Sequence, residues 1–518
     1  MATSRSTPAS RARSTRPSPP RAISTRSVYP GTLTDVTGGD GAGSTSSPTA
    51  CASASGRAGA QTSSSSTTPP GRPLVAVRGT AARPVSGTTG RSAGSGRSRV
   101  GPIWSPPPSG ASRVVFSDLV HATTPSRTDE AETSANDHIR RTNLQRVLTL
   151  LHYRGPRRRP EIALATGLTR STVGLLVAEL AQRGLVTEVV APERGRGRPS
   201  PMIVANGDGV CAIAVNTESS VLTVALVGLG GVVHQVLVEA VDGAEDPALT
   251  CDRITRLVAE LVTCAGPERR ILGIGVAVPG QVQVGDGVVR HAPHLDWREV
   301  PLAAMLTAAT GLTTTVGNDA AVILGATSAF GDGLANDLVY LVGRPSGVGG
   351  AIISRGRLVH GASGYAGEWG HVPVAQPGRP CVCGGVGCLE TEVALDRLLA
   401  VAELDGDDPE QLAAALIRRD QPELETEARR QLGHLEVALR TVVNALNPGT
   451  ILLGGFLAAL LDSRTEHERS ALVARAVGAA AETVTIRGTY GDAEQVLLGA
   501  AELAFVTLLR APDLVGPA

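Results

Sequence analysis

From residue 207 to the end of the chain, strand-like apolar runs alternate with helical segments, and that alternation leaves few folds open. "VCAIAVNTESSVLTVALVGLGGVVHQVLVEAV" reads as consecutive strands joined by glycine turns, and "ILGIGVAVPG" as a buried strand. Further strands are expected at "DLVYLVG" and "GGAIISRGRL". Helices are expected around 247–264, 319–330, 392–403, 409–417, 424–446 and 493–509. Such an order implies an α/β protein of two lobes. Aromatic residues make up 2% of the chain, so the core has to be built from Leu, Val and Ala.

Ahead of this body the composition changes twice. Residues 1–135 are dominated by Ser, Thr, Arg, Pro, Gly and Ala and sustain no helical or strand period. A low-complexity segment of this kind buries too little apolar surface to offset its ordering entropy, so a disordered tail is expected there. It reads either as a basic arm that meets DNA non-specifically or as an extension without function. The net charge of zero conceals a gradient. There are 15 Arg against 3 acids over residues 1–128, 12 against 8 over 129–206, and 21 against 37 over 207–518. Only the front of the chain is suited to a polyanion.

Residues 136–206 carry the pattern of a DNA reader. Leu144, Val147, Leu148 and Leu151 form a helical stripe closed by Gly155 and Pro156. Pro160 opens a short second helix, "PEIALATG", and Gly167 makes the turn. Thr169 caps a third helix, "RSTVGLLVAELAQRG", with Val173, Leu176, Val177 and Leu180 on one face. Three helices with a tight turn before the last match a helix-turn-helix. Two short strands follow, "LVTEVV" and "PMIVAN", around the loop "APERGRGRPS", which reads as a wing. The expected DNA contacts are Thr169, Arg170, Ser171 and Thr172 on the third helix, with Arg170 aimed at a guanine and the hydroxyls at phosphates. Arg194, Arg196 and Arg198 of the wing complete them. A three-helix module for protein contacts with solvated arginines is the blander alternative.

Three of the seven cysteines lie within one short loop, at Cys381, Cys383 and Cys388. A structural zinc site takes four N or S ligands in a tetrahedron. The loop supplies three thiolates, and His371 is the expected fourth ligand, with His291 and His294 weaker candidates. Glycines at 384, 385 and 387 let the backbone fold around an ion. Scattered placement of the other cysteines fits a reduced, cytoplasmic chain. The sequence has no apolar run long enough to span a membrane and no apolar signal region near the start.

"GEWGH…CVCGGVGCLE" resembles the signature of the ROK family of repressors, open reading frames and sugar kinases. "GVGGAIISRGRLVHGASGYAGEWGH" resembles the family's phosphate-loop and ligand segment, "VGNDAAVILG" its Asn-Asp motif, and "VPGQV" and "APHLDW" its first-lobe loops. "RRTNLQRVL" and "GRGRP" resemble the DNA-binding domain of its repressor branch. The resemblance spans about residues 136–515. It implies an N-terminal winged helix-turn-helix over 136–206 and a two-lobed actin-like, hexokinase-like domain over 207–518. Lobe one would comprise about 207–325 plus a C-terminal helix at about 493–518, and lobe two about 326–492.

Carried over residue by residue, the resemblance places Asn318 and Asp319 on sugar hydroxyls, with Asp319 at the catalytic-base position of the kinases. Glu368, His371 and Glu390 are the other hydroxyl acceptors, so that His371 serves both zinc and sugar. His294 departs from the family's Asn at that position. The family's kinases carry an Asp-x-Gly-Gly-Thr loop on the first hairpin for ATP phosphates. Asn216, Thr217, Glu218, Ser219 and Ser220 fill that turn here, and Glu218 repels a triphosphate. Gly347, Gly349 and Gly350 of the second loop remain, preceded by "GRPSG", and Gly454 and Gly455 resemble the adenosine-side glycines. The expectation is a sugar-responsive transcription factor, a repressor before an activator, and not an enzyme. It would bind an operator as a homodimer or higher homo-oligomer and take a monosaccharide or sugar phosphate as effector. The alternative is a sugar kinase with an appended DNA-binding domain, with Asp319 as the base.

Overall fold

The computed structural model describes residues 75–78, 135–189, 201–331, 334–405 and 409–516. The wing arginines Arg194, Arg196 and Arg198 lie outside the described residues.

The first described unit has three helices, Ala135–Arg154, Arg159–Thr166 and Arg170–Gln182. Leu144, Val147, Leu148 and Leu151 of the first are all at most 1% exposed, each contributing about 1.5–3 kcal/mol of burial. They pack in one cluster with Ile162 of the second helix and with Val173, Leu176, Val177 and Leu180 of the third. Gly167 supplies the left-handed turn (φ 72°) between the second and third helices. The Thr169 hydroxyl accepts the Thr172 N–H at 3.2 Å, capping the third. A three-stranded sheet closes the unit, with Met202–Ala205 between Arg157–Arg158 and Val186–Val189.

The next sheet builds the first lobe. Val210–Thr217, Val221–Gly228 and Val232–Ala240 run as antiparallel neighbours, and Arg270–Val278 and Thr314–Asn318 extend the sheet in parallel beyond the first of them. Both faces of Val210–Thr217 are buried, and its residues alternate between two cores. Ile213 and Val215 join Ile254, Leu257 and Leu261 of helix Pro247–Ala265. Ala212 and Ala214 join Ala500, Ala501 and Leu503 of helix Asp492–Arg510. Small residues on that second face are obligatory. A Cβ at Gly275 would stand 1.7 Å from the Ala500 carbonyl oxygen.

Four residues of the stretch expected to be a disordered tail, Val75–Arg78, instead form an edge strand antiparallel to Val232–Ala240. An open sheet edge accepts any short extended run. "LVAV" is such a run, and the average composition of the segment hides it.

The second lobe is a five-stranded sheet in the order Arg357–Leu358, Gly347–Ser354, Leu338–Arg344, Thr450–Gly455, Thr485–Gly488. Helices Leu395–Ala402, Pro409–Arg418, Pro422–Leu446 and Phe456–Asp462 bury their apolar faces in one cluster against it. Helix Asp319–Phe330 shares a core with helix Asp492–Arg510 and with strand residues Ala351 and Ile353. It therefore joins the two sheets. Among the described residues no single helix is long and apolar enough to cross a membrane.

Candidate functional site

The cleft between the two sheets is lined from both sides. Strand Thr314–Asn318 ends where helix Asp319–Phe330 begins, so two polar side chains stand at the cleft floor. Asn318 caps the helix by accepting the Ala321 N–H at 3.0 Å, and its Nδ2 donates to the Gly280 carbonyl at 3.0 Å. The next residue, Gln281, is hydrogen-bonded to Glu368 across the cleft. Burial pushes the Glu368 carboxyl up, and His371 pulls it part of the way back.

His371 closes a short 3-10 turn, Trp369–His371. Its Nδ1 lies 3.5 Å from the Cys381 Sγ, and the Cys383 and Cys388 sulfurs are 3.7 Å apart. All four ligand atoms fall within 4.8 Å of one another. A tetrahedral ion with bonds of about 2.3 Å to sulfur and about 2.0–2.1 Å to nitrogen calls for S–S edges of about 3.8 Å and N–S edges of about 3.6 Å. The donor set therefore fits a metal of zinc's size and preferences. Burial pushes the Cys381 and Cys388 thiols up, whereas the Gly385 N–H draws Cys383 down. His291 and His294 stand outside this cluster. The other ring nitrogen of His371, Nε2, faces Glu368 at 4.0 Å, and Glu390 lies 3.4 Å from Nδ1. Glu390 also accepts from the Cys381 thiol at 2.9 Å. The structure thus gathers the expected metal ligands with Glu368 and Glu390, two of the expected hydroxyl acceptors, while Asn318 and Asp319 stand at the strand–helix junction.

Beside this wall, a residue that sequence reasoning missed takes charge. Arg344 ends strand Leu338–Arg344 in the second lobe. Its Nη1 donates to Asp319 Oδ2 at 2.8 Å and lies 3.6 Å from Glu218 Oε1 on the first-lobe hairpin. Asn216 donates to the same Glu218 oxygen at 3.0 Å. Burial works against the Arg344 charge, but Asp319 and Glu218 outweigh it and hold the guanidinium firmly protonated. Burial raises the Asp319 carboxyl, with Arg344 opposing. Asp492, at the start of helix Asp492–Arg510, completes the group and accepts the Gly455 N–H at 3.1 Å. The sequence signal was the "GRPSG" departure, which shows an unusual residue but not its partner 25 positions away.

The same helix reaches the three-helix unit. Glu502 is 1% exposed and receives two residues of helix Ala135–Arg154: His152 Nε2 at 2.6 Å and the Tyr153 hydroxyl at 2.7 Å. The Gly230 N–H donates to His152 Nδ1 at 2.8 Å. Nδ1 therefore carries no proton, and Nε2–H points at the carboxylate. Beyond the helix, Asp513 accepts from Arg141 at 2.9 and 3.0 Å, and the Asp513 and Val515 carbonyls accept from Arg183 at 2.7 and 2.6 Å. On the third helix, Thr169 Oγ1 lies 2.9 Å from the Ser171 hydroxyl and 2.8 Å from that of Thr172, and Arg170 is exposed.

Comparison with known proteins agrees with this architecture. A family model described as ROK family matches residues 229–506. A putative xylose repressor from a Caldicellulosiruptor species is 26% identical over 374 residues, covering 69% of this chain and 94% of that one. The DNA-binding transcriptional repressor Mlc of Escherichia coli is 26% identical over 384 residues, covering 70% of this chain and 93% of its own. A glucokinase from Halalkalibacterium halodurans is 34% identical over 204 residues, 36% of this chain and 61% of that one. A crystal structure of a ROK family transcriptional regulator, a homolog of E. coli Mlc, superposes with a TM-score of 0.59 at 24% identity. It covers 72% of this chain and 98% of that one, which shows the shared fold.

Proposed function

The chain belongs to the ROK family, and from that premise we propose that it is a sugar-responsive, DNA-binding repressor of carbohydrate-metabolism genes. In this reading residues 136–206 are a winged helix-turn-helix, and 207–518 form an actin-like effector domain with a sugar in its cleft. Operator contacts come from Thr169, Arg170, Ser171 and Thr172 with the wing arginines Arg194, Arg196 and Arg198. The sugar is held by Asn318, Asp319, Glu368, His371 and Glu390, and a structural zinc by His371, Cys381, Cys383 and Cys388. The protein acts in the cytoplasm as a homodimer on a pseudo-palindromic site. Relatives named as xylose repressor and as the repressor Mlc, each matched over more than nine-tenths of its length, support the assignment.

The observation that carries the reading is the continuity of helix Asp492–Arg510. Its first residue stands at the cleft beside Gly455, and Glu502, about 15 Å further along the axis, is buried against His152 and Tyr153 of the DNA-reading unit. A change in cleft closure moves one end of this rod, and the other end is fixed to the DNA-binding helices. The effector then acts through its differential affinity for the open and closed cleft. Zinc, when bound, fixes the ring of His371 and folds the loop around it. The chain's own part is to present carboxylates to paired hydroxyls.

The glucokinase similarity favours a second reading, a sugar kinase with Asp319 as general base. Arg344 opposes it, since its guanidinium engages Asp319, the would-be base, and lies beside Glu218. Titration calorimetry separates the two. The repressor reading expects heat from a monosaccharide with no requirement for magnesium-ATP, together with a sugar-dependent change in DNA affinity. Transfer of phosphate to the sugar would establish the kinase instead.

A further inference from the structure

The third helix of the front unit has an outward face that the operator contacts above use only in part. Val173, Leu176, Val177 and Leu180 are buried. Arg170, Ser171, Gly174, Leu175 and Ala178 turn away from them, a spacing that keeps all five on one side of a helix. The polar groups around this face are already engaged. Thr169 takes the Ser171 and Thr172 hydroxyls, and Glu179 pairs with Arg140 and Arg183. Leu175, by contrast, is 75% exposed. Beside it, a Cβ placed on Gly174 would find no atom within 4 Å, so the leucine rises from a bare backbone surface.

We propose that Leu175 is a specificity-determining residue that reads a thymine by packing on its C5-methyl group in the major groove. The proposal rests on the front unit being a DNA reader. A leucine this exposed gains nothing in water, and in the major groove the apolar feature on a base-pair edge is the thymine methyl. Gly174 lets the helix backbone approach the bases, so a side chain of leucine's length reaches them. Duplex DNA is the occupant to which the charge points, since residues 129–206 carry 12 Arg against 8 acids. Arg170, on the same face, would read its own base pair, leaving Leu175 a neighbouring one about one helical turn further along the helix.

The test uses the full chain, zinc-loaded, and a random-sequence duplex pool from which bound sequences are selected. In the enriched sequence each thymine is then replaced by deoxyuridine, which lacks the methyl. The wild type is expected to lose about fourfold in affinity at one position per half-site, the worth of one buried methyl, while Leu175→Ala binds the two duplexes equally. An enriched sequence without any such position would overturn the role of Leu175 and leave DNA reading intact. Failure of any sequence to enrich would overturn both. If Leu175→Ala leaves DNA affinity unchanged and alters the sedimentation coefficient instead, the face belongs to a protein contact and the proposal is wrong. Leu175 packs against no core, so the variant is expected to fold, as circular dichroism would verify.

Discussion

The two halves of the cleft solve the problem of facing carboxylates in opposite ways. On the metal side, Glu368 and Glu390 lie 4.0 and 3.4 Å from His371, with Glu368 also hydrogen-bonded to Gln281 and Glu390 to the Cys381 thiol. On the hairpin side, Glu218 and Asp319 converge on Arg344, whose side chain is 13% exposed. The guanidinium offsets two carboxylates directly, whereas the carboxylates of the metal side meet the Gln281 amide, the Cys381 thiol and His371. The two pairs of carboxylates thus differ in partner: one pair is held by an arginine, the other by neutral donors and a histidine.

The contrast is most strongly tested by removing the metal. Cys388→Ser is expected to abolish stoichiometric zinc and lower the melting temperature by roughly 5–10 °C, with sugar binding lost alongside. Elemental analysis and calorimetry measure both, and a variant that stays zinc-free yet melts and binds sugar normally would show that protein contacts alone shape that wall. Next in size, Arg344→Ala should cost about 3 kcal/mol in urea unfolding, because the buried Asp319 carboxylate loses its partner. Glu368→Gln, on the metal side, should cost less than about 0.5 kcal/mol and remove the sugar response. Equal costs for the two substitutions would erase the distinction.

The smallest effect lies away from the cleft and calibrates the rest. The Thr465 N–H, with Arg419, holds Glu468 down at about 2. A depressed carboxylate contributes stability that is present above its ordinary value near 4.5 and is lost as pH falls through its folded value. Acid titration of stability between pH 4.5 and 2 should therefore be shallower in Glu468→Gln than in the wild type. Identical slopes would mean that the capping contact does not persist in solution.

Local order was legible and long-range pairing was not. The stripe through Leu144 and Leu151, the Thr169 cap and the gathering of Cys381, Cys383, Cys388 and His371 all follow from spacing within a few turns or one loop. The hydrogen bond from Arg344 to Asp319 joins residues 25 apart, and that between His152 and Glu502 residues 350 apart. A buried His or Arg has no periodic signature, and its partner is chosen by topology. Val75–Arg78 escaped for a related reason, since an edge strand is defined by the edge it meets.

The joint at Glu502 has a mechanical consequence. Asn206 donates to the Gly184 carbonyl at 2.7 Å and accepts the Gly209 N–H at 3.1 Å, so the chain enters the first lobe with no slack. With His152, Tyr153, Arg141 and Arg183 also anchored, the three-helix unit is tied to the rest of the chain at several points. Two such units in one assembly would behave as the jaws of a caliper. The gap between their marks on the duplex would be fixed by the protein, and inserting even a single base pair between half-sites would turn one mark by about a tenth of a turn away from its jaw.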